Sequence, residues 1–385
     1  MNKEIAIVGV GETPLGSFPD RSSLQLHAEA TRRALEDSGL TLGDVDGILT
    51  AGSRLDGFLM HSAAYAEYLG VAPRYSATLS LGGAVHCAAI HHAASAIMAG
   101  LADVVLIASG DNLLSGMSRA GAVEHLSQAG AGHPEFENPY GPPIPALYAL
   151  IASRYMHVYG AKPEHLAAVA VTMREHAARN PNAQYRKPIS VDDVLASKMV
   201  ATPLHVFDCS PISDGGGAII VTRSGRAAGL RSRPVFLLGA GEGHTGEHLS
   251  AMPDLVSSGA IQSGERAFAS AGLQRDAVDV AMLYDSFTIA VLLQLEHLGF
   301  CKPGDAGTFV ASGGLKLGGA LPTNTHGGCL SHGHPGKPGG IFHIIEAVHQ
   351  LRGKAGERQV QNAQVALVHG SGGAMATHCT ILLGS

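Results

Sequence analysis

Gly313 to Gly340 reads GGLKLGGALPTNTHGGCLSHGHPGKPGG, with ten glycines, three histidines, three prolines and one cysteine. An amphipathic helix pattern follows at once, from Ile341 to Leu351. Glycine loses more backbone freedom on folding than any other residue, so a run this rich is costly to order. Such a run is retained where the backbone takes positive φ or comes close to another group, which in an enzyme is usually a ligand. A flexible linker would be a Gly/Ser mixture without interleaved His, Cys and Pro. The stretch therefore predicts an ordered, close-packed turn region at a functional site.

The 385 residues around it exceed one ordinary core and predict two to three domains or one large architecture. Hydrophobic residues make up 45% and charged residues 15%, which suits a large, well-buried α/β body and argues against disorder. There are 26 basic and 32 acidic residues, giving a net charge of −6 with no Lys/Arg run. That argues against a nucleic-acid or membrane-surface partner as the main function. Cys87, Cys209, Cys301, Cys329 and Cys379 are odd in number and lack CxxC spacing, so neither a disulfide framework nor a zinc ribbon is indicated. A cytoplasmic location fits best, and a soluble, unprocessed chain is expected because no basic leader or long apolar run is present.

Ile5 to Val10 is a β-branched run, and Leu24 to Glu36 is a helix pattern closed by Ser38-Gly39. Gly9-Val10-Gly11 does not make a dinucleotide fingerprint, since the next glycine, Gly16, is too far on. Asp214-Gly215-Gly216-Gly217 lacks the Lys-Ser/Thr of a phosphate loop and predicts a tight turn into a strand from Ala218 to Val221.

An internal similarity organises the chain. Ala34 to Asp46, ALEDSGLTLGDVD, resembles Ala267 to Asp279, AFASAGLQRDAVD. Downstream in the same order, Gly82-Gly83 with His86 opens a helix followed by the strand Val104 to Ile107. Gly339-Gly340 with His343 opens a helix followed by Val365 to Val368. Two alike units in one order predict two α/β halves related by a pseudo-two-fold, residues 1–225 and 226–385, each with a mostly parallel sheet. His86 and His343 are expected to face one another across that axis in structural roles. An excursion over 113–205, with helix patterns from Ile144 to Tyr159 and Pro163 to Arg179, has no counterpart in the second half. Arg174, Arg179, Arg186, Lys187 and Lys198 on it are candidates to meet phosphates, though each by itself reads first as part of a solvated basic face.

YDSF at Tyr284 to Phe287, NTHGG at Asn324 to Gly328, GHPG at Gly333 to Gly336 and HGSGG at His369 to Gly373 together resemble the thiolase superfamily, nearest its sterol-carrier-protein and lipid-transfer-type branch. The resemblance covers essentially the whole chain. It implies a five-layer αβαβα fold with an inserted loop domain, a homodimer, and an acyl-CoA substrate with no further cofactor. His334 sits at the GHP histidine, which in the family helps activate the nucleophile and polarise the thioester oxygen. The family's nucleophilic cysteine falls, by spacing from Gly100, on Gly83, which cannot form an acyl-enzyme. Cys87, one helical turn further in, reads as a buried core residue. The family's second cysteine is replaced within HGSGG by His369-Gly370, and the Asn or His of its NEAF or HEAF motif by Tyr284.

What remains is a thioester-enolate site. Tyr284, His334 and His369 are candidates to share the proton transfers, Tyr284 reading alternatively as a strand-end packing residue. Backbone N–H groups at Gly83 and Gly372 are candidates to hold the thioester oxygen. Nucleophile-lacking thiolase-like aldolases often work with a small OB-fold, zinc-ribbon companion protein, which the resemblance makes a possible partner. A metal at His326, Cys329, His332, His334 or His369 is not expected, because the spacing fits no zinc motif. Three functions stay open at this point: a carbon-carbon lyase without a covalent step, an acyltransferase using Cys87 or Cys329, and a non-catalytic acyl-CoA or lipid-binding subunit.

Overall fold

The computed structural model describes residues 3–118, 121 and 132–385; part of the excursion, 119–120 and 122–131, lies outside the described residues. The strands are β1 (Ile5–Glu12), β2 (Gly47–Thr50), β3 (Tyr75–Thr78), β4 (Val104–Asn112), β5 (Met199–Ala201), β6 (Leu204–His205), β7 (Asp214–Arg223), β8 (Val235–His244), β9 (Val280–Leu283), β10 (Val365–Gly372) and β11 (Thr377–Gly384). The helices needed below are α1 (Ser23–Ser38), α2 (Val85–Met98), α3 (Ile144–Tyr159), α4 (Pro163–Ala178), α5 (Ala260–Ala271), α6 (Thr288–His297) and α7 (Gly339–Leu351).

The duplicated sequence forms duplicated structure. α1 and α5 each end on a glycine in the left-handed region, Gly39 at φ 77° and Gly272 at φ 65°. A residue with a Cβ would be strained at both. Each helix is followed by a short 3₁₀ turn and then by a strand, β2 or β9. The aspartate before each strand caps the next one in the sheet. Asp46 accepts from the Val104 N–H at 2.8 Å and Asp279 from the Val365 N–H at 2.9 Å.

Nine strands form one sheet in the order β3-β2-β4-β7-β1-β8-β11-β10-β9, and the halves join where β1 meets β8 at Ala6–Phe236 and Ile7–Val235. The sheet is mixed rather than mostly parallel, which corrects the sequence expectation: only β2–β3, β2–β4 and β9–β10 run parallel. The reason is connectivity. β10 turns back into β11 through a short hairpin, which only antiparallel strands allow, and β7 re-enters antiparallel to β4 after the excursion.

Side-chain alternation sets the layers. In β4, Val104, Leu106 and Ala108 pack with α1 residues Ala30 and Ala34, while Val105 and Ile107 pack with Ile90 of α2 and Ile345 of α7. A strand buried on both faces reads as an unbroken apolar run, as VVLIA does. α2 and α7 touch strands of both halves and lie between them, α1 covers β1, β4 and β7, and α5 covers β8 and β11. α1, first-half strands, α2 with α7, second-half strands and α5 thus follow one another, the αβαβα order expected above. Ile90 and Ile97 of α2 are fully buried, and truncating either to alanine costs about 2–5 kcal/mol. The excursion helices α3 and α4 share a single core with α6 of the second half, through Ile151, Tyr155, Val169 and Met173 against Ile289, Leu292 and Leu293.

Two further expectations change. Asp214 to Gly217 is not a turn but the start of β7, and its glycines let α1 approach: a Cβ at Gly216 would lie 2.8 Å from the Leu26 carbonyl oxygen. Asp214 accepts from the N–H groups of Phe18, Leu114 and Ser115, so it ties the excursion to the strand. His86 lies against the opening of α7, its Nδ1 3.4 Å from where a Cβ on Gly340 would stand. His343 turns away to Asp285, so the two histidines do not face one another.

Candidate functional site

Gly82 and Gly83 form the turn that opens α2, and no side chain caps it. Their N–H groups therefore precede the intrahelical ladder. The turn packs backbone to backbone on the end of β10: a Cβ at Gly82 would stand 2.7 Å from the Gly372 Cα, and one at Gly83 2.5 Å from the Ser371 carbonyl oxygen. Gly83 also lies under the Tyr284 ring, whose Cζ is 2.2 Å from a Cβ placed there. Any side chain at 83 would have to displace the tyrosine.

Tyr284 follows β9 directly, and its N–H donates to the His369 carbonyl at 3.0 Å. Its hydroxyl is 2.6 Å from His334 Nε2. His334 is held by its own backbone, where its N–H donates to the Ser213 hydroxyl at 2.9 Å and its carbonyl accepts the Ser213 N–H at 3.2 Å. Ser213 Oγ in turn donates to Gln184 Oε1. Gly333, at φ 145°, leaves room for this: a Cβ there would be 2.8 Å from Ser213 Oγ. Burial holds Tyr284 well above the usual phenol range, and burial together with the Arg54 guanidinium and His343 pushes His334 down to about 4. At neutral pH the pair is a neutral phenol beside a neutral imidazole, joined by one hydrogen bond along which one proton can move.

His369 does not join this pair. Its Nδ1 is 2.8 Å from Thr380 Oγ1 and its Nε2 3.0 Å from His378 Nδ1, and His378 Nε2 reaches the Met375 carbonyl. Thr380 bonds Ser263 of α5, so the chain runs toward the outer helix layer. Strand parity explains the outcome: Gly370 and Gly372 face the Leu81 to Ala84 turn, so His369 between Val368 and Gly370 points to the opposite face. That alternation was readable in HGSGG and would have warned against the assignment. Gly83 and Gly372 are brought together, as expected.

The residues behind the pair form a knot. Asp285 Oδ1 accepts from the Cys329 N–H at 2.7 Å and faces His343 Nε2 at 3.2 Å, and Oδ2 is 3.3 Å from the Leu330 N–H. Ligand atoms of Asp285, Cys329 and His343 lie within 4.8 Å of one another. The carboxylate is already engaged on both oxygens, and burial and Asp285 hold the Cys329 thiol well above its usual range, so the donors suit hydrogen bonding better than a cation. Of the histidines considered above as metal ligands, His326 and His332 sit ring against ring at 5.1 Å, with His332 Nδ1 on Asn180, while His334 turns to Tyr284 and His369 to Thr380. Cys87 is buried, its Sγ 3.9 Å from the Val368 carbonyl, and burial pushes its thiol up to about 12.

The excursion supplies Tyr148, whose hydroxyl donates to the Gly373 carbonyl at 3.0 Å and whose ring stacks on Phe287 at 4.2 Å. No sequence motif marked it. Arg174, a candidate for phosphate, is instead buried, with Nε on Ser331 Oγ at 3.0 Å and Nη1 on the Lys187 carbonyl.

The family description "Thiolase, N-terminal domain" matches residues 5–225, and "Thiolase C-terminal domain-like" matches residues 241–385. The chain is a member of the thiolase superfamily. Among its relatives, the 17-hydroxy-3-oxo-4-pregnene-20-carboxyl-CoA lyase of Mycobacterium tuberculosis is 39% identical, with 92% of each chain covered. The steroid side-chain-cleaving aldolase of Thermomonospora curvata is 35% identical, with 95% of each covered. The solved Ltp2-ChsH2(DUF35) aldolase superposes with a TM-score of 0.86 at 33% identity, covering 100% of this chain and 98% of that one. Within this thiolase fold, among the described residues, no helix is long and apolar enough to cross a membrane.

Proposed function

We propose that this thiolase-superfamily chain is an acyl-CoA carbon-carbon lyase that cleaves a β-hydroxyacyl-CoA by a retro-aldol step without an acyl-enzyme. Membership of a family named for thiolases does not select the reaction. One local observation carries the choice: the Tyr284 ring fills the space above Gly83, where the resemblance puts the family's nucleophile, and its hydroxyl meets His334. The alternative acyltransferase would need a thiolate, and burial holds both Cys87 and Cys329 protonated.

In the cleavage, Tyr284 accepts the substrate's β-hydroxyl proton as its own hydroxyl proton passes to His334 Nε2. The bond between the α and β carbons breaks, its electron pair forming the thioester enolate and the hydroxyl oxygen becoming the carbonyl of the leaving ketone or aldehyde. The imidazolium proton then returns through Tyr284 to the α carbon, so no external acid or base is consumed. N–H groups of Gly83 and Gly372 hold the enolate oxygen, helped by the positive end of α2; losing one such donor typically costs ~10²–10³ in rate.

The reading further includes coenzyme A as part of the substrate and no other cofactor, the halves 1–225 and 226–385 as structural units, and a cytoplasmic location, which five free thiols suit. It includes a homodimer, supported by the edge position of β3 and the exposed Phe58, Leu59 and Met60 near it. A small companion protein is proposed by analogy with the two-component Ltp2-ChsH2(DUF35) aldolase. The test is to incubate the protein with β-hydroxyacyl-CoA thioesters in the absence of free CoA. The expected result is a ketone or aldehyde plus a shortened acyl-CoA, with no mass adduct on the protein. Cleavage that requires added CoA and leaves an acyl adduct would overturn it.

A further inference from the structure

Two cations beside the Tyr284–His334 pair have no role in the reaction as described. Arg54 lies in the loop after β2 and Lys337 in the GHPGKPGG loop, and the loops cross. The Arg54 stem lies over Gly336, its Nε 3.8 Å from where a Cβ would stand, and Lys337 Nζ lies 3.6 Å from the corresponding point on Gly52. Both glycines have positive φ, 75° and 68°, so each loop presents a bare backbone to the other's cation. Gly336 is the start of a turn whose end is Gly339, with the Gly339 N–H on the Gly336 carbonyl at 3.1 Å. A Cβ at Gly339 would be 3.4 Å from the Tyr284 hydroxyl. The guanidinium and the phenol thus flank two positions of one tight turn, whose ends lie within about 7 Å.

Neither cation makes an ion pair among the described residues, although the Asp111 carboxylate acts on both from nearby. Arg54 makes no side-chain hydrogen bond or ion pair, and its buried Nε has no partner. The nearby carboxylate of Asp111 is spent otherwise, with Oδ1 accepting from Ser53 Oγ at 2.9 Å and Oδ2 from the Arg54 backbone N–H at 2.7 Å. It orients the loop rather than pairing with the guanidinium. Burial pushes Asp111 up to about 6, which still leaves it mostly ionised at neutral pH, but both its oxygens are held by the loop. Desolvating a guanidinium and an ammonium with no carboxylate paired directly to either is costly, and an arriving anion offsets that cost.

Resting on the lyase reading, we propose that Arg54 and Lys337 form a carboxylate-receiving subsite for the acyl end of the substrate, so that the carbonyl fragment released is an oxo acid rather than a neutral ketone or aldehyde. A bidentate carboxylate suits the planar guanidinium, and the ammonium supplies a second, mobile donor.

The test measures binding of succinyl-CoA and butyryl-CoA, thioesters of equal chain length that differ in the terminal carboxylate, to the full chain by titration calorimetry. Succinyl-CoA is expected to bind at least about tenfold more tightly, and the Arg54→Gln/Lys337→Gln protein to lose that preference while keeping its affinity for butyryl-CoA. Lys337→Gln alone, at a half-buried position, is expected to lose part of it and guards against a double variant that does not fold. Equal affinity for the two esters in the starting protein, or a preference that survives in the variants, overturns the subsite. Equal weakening of both esters in the variants also overturns it and assigns the cations to the nucleotide phosphates. Failure of both esters to bind at all is a different result, because it removes the thioester reading itself.

Discussion

The two Gly-Gly helices begin from the same pattern and end in different chemistry. α2 opens with Gly82-Gly83 and carries His86 three residues on; α7 opens with Gly339-Gly340 and carries His343 at the same spacing. His86 is buried with neither ring nitrogen bonded, whereas His343 meets Asp285, which also holds the Cys329 backbone. Above Gly83 sits the Tyr284 ring; beside Gly339 sit the same tyrosine's hydroxyl and His334. A duplicated frame therefore fixes where two helix starts converge, and the residues placed at the convergence decide what each start contributes.

Four single variants and one double variant break or sharpen that contrast. The largest effect is expected for Tyr284→Phe, which keeps the ring over Gly83 and removes the proton path. Turnover should fall ~10²–10⁴-fold with little change in melting temperature, and undiminished ketone release would end the assignment. Next, Gly83→Ala places a methyl 2.2 Å from the Tyr284 ring and should destabilise by about 1–3 kcal/mol or more, read as a lower melting temperature. Adding Tyr284→Ala should recover the part due to the ring, while the Ser371 carbonyl oxygen 2.5 Å from the new methyl keeps the rest, and an equal loss in the double variant would show that the ring overlap is relieved elsewhere. His343→Leu should cost ~1–3 kcal/mol, because the buried Asp285 loses a partner.

The smallest effect at pH 7 belongs to His86→Leu, within about 0.5 kcal/mol of neutral, since no bond is lost. Its signature is in acid. Burial pushes His86 down to about 3 from 6.5, so below pH 6.5 the unfolded chain binds a proton that the folded chain refuses. The stability from keeping this ring neutral is fully present above pH 6.5 and is lost as the pH falls toward 3. At pH 5 the leucine variant should therefore be ~2 kcal/mol more stable than the starting protein by thermal melts, relative to their difference at pH 7. An unchanged difference would mean that His86 is protonated in the folded state.

Much of this was legible from residue order. ALEDSGLTLGDVD and AFASAGLQRDAVD become two capped helix–turn–strand units because Gly39, Gly272, Asp46 and Asp279 each act locally. The pairing of Tyr284 with His334 followed from two motifs that name the convergence of the halves. What was not legible depended on long-range placement. The antiparallel return of β7 depends on a route through the excursion that periodicity does not encode. Tyr148 and Arg54 reach the site from a helix and a loop without any motif. His369 was misplaced because a one-residue step along a strand reverses the face, and the glycines at 370 and 372 occupy the face toward α2.

The contact between Gly83 and Tyr284 also governs how this protein could change its trade. Restoring a nucleophile means putting a side chain at 83, which the ring forbids, and removing the ring first discards the acid and base. Each single step leads to a protein that does neither reaction well, so the two chemistries are separated by a pair of changes that must arrive together. A ring seated on bare backbone in this way preserves a lyase inside a thiolase frame more firmly than the loss of one cysteine would.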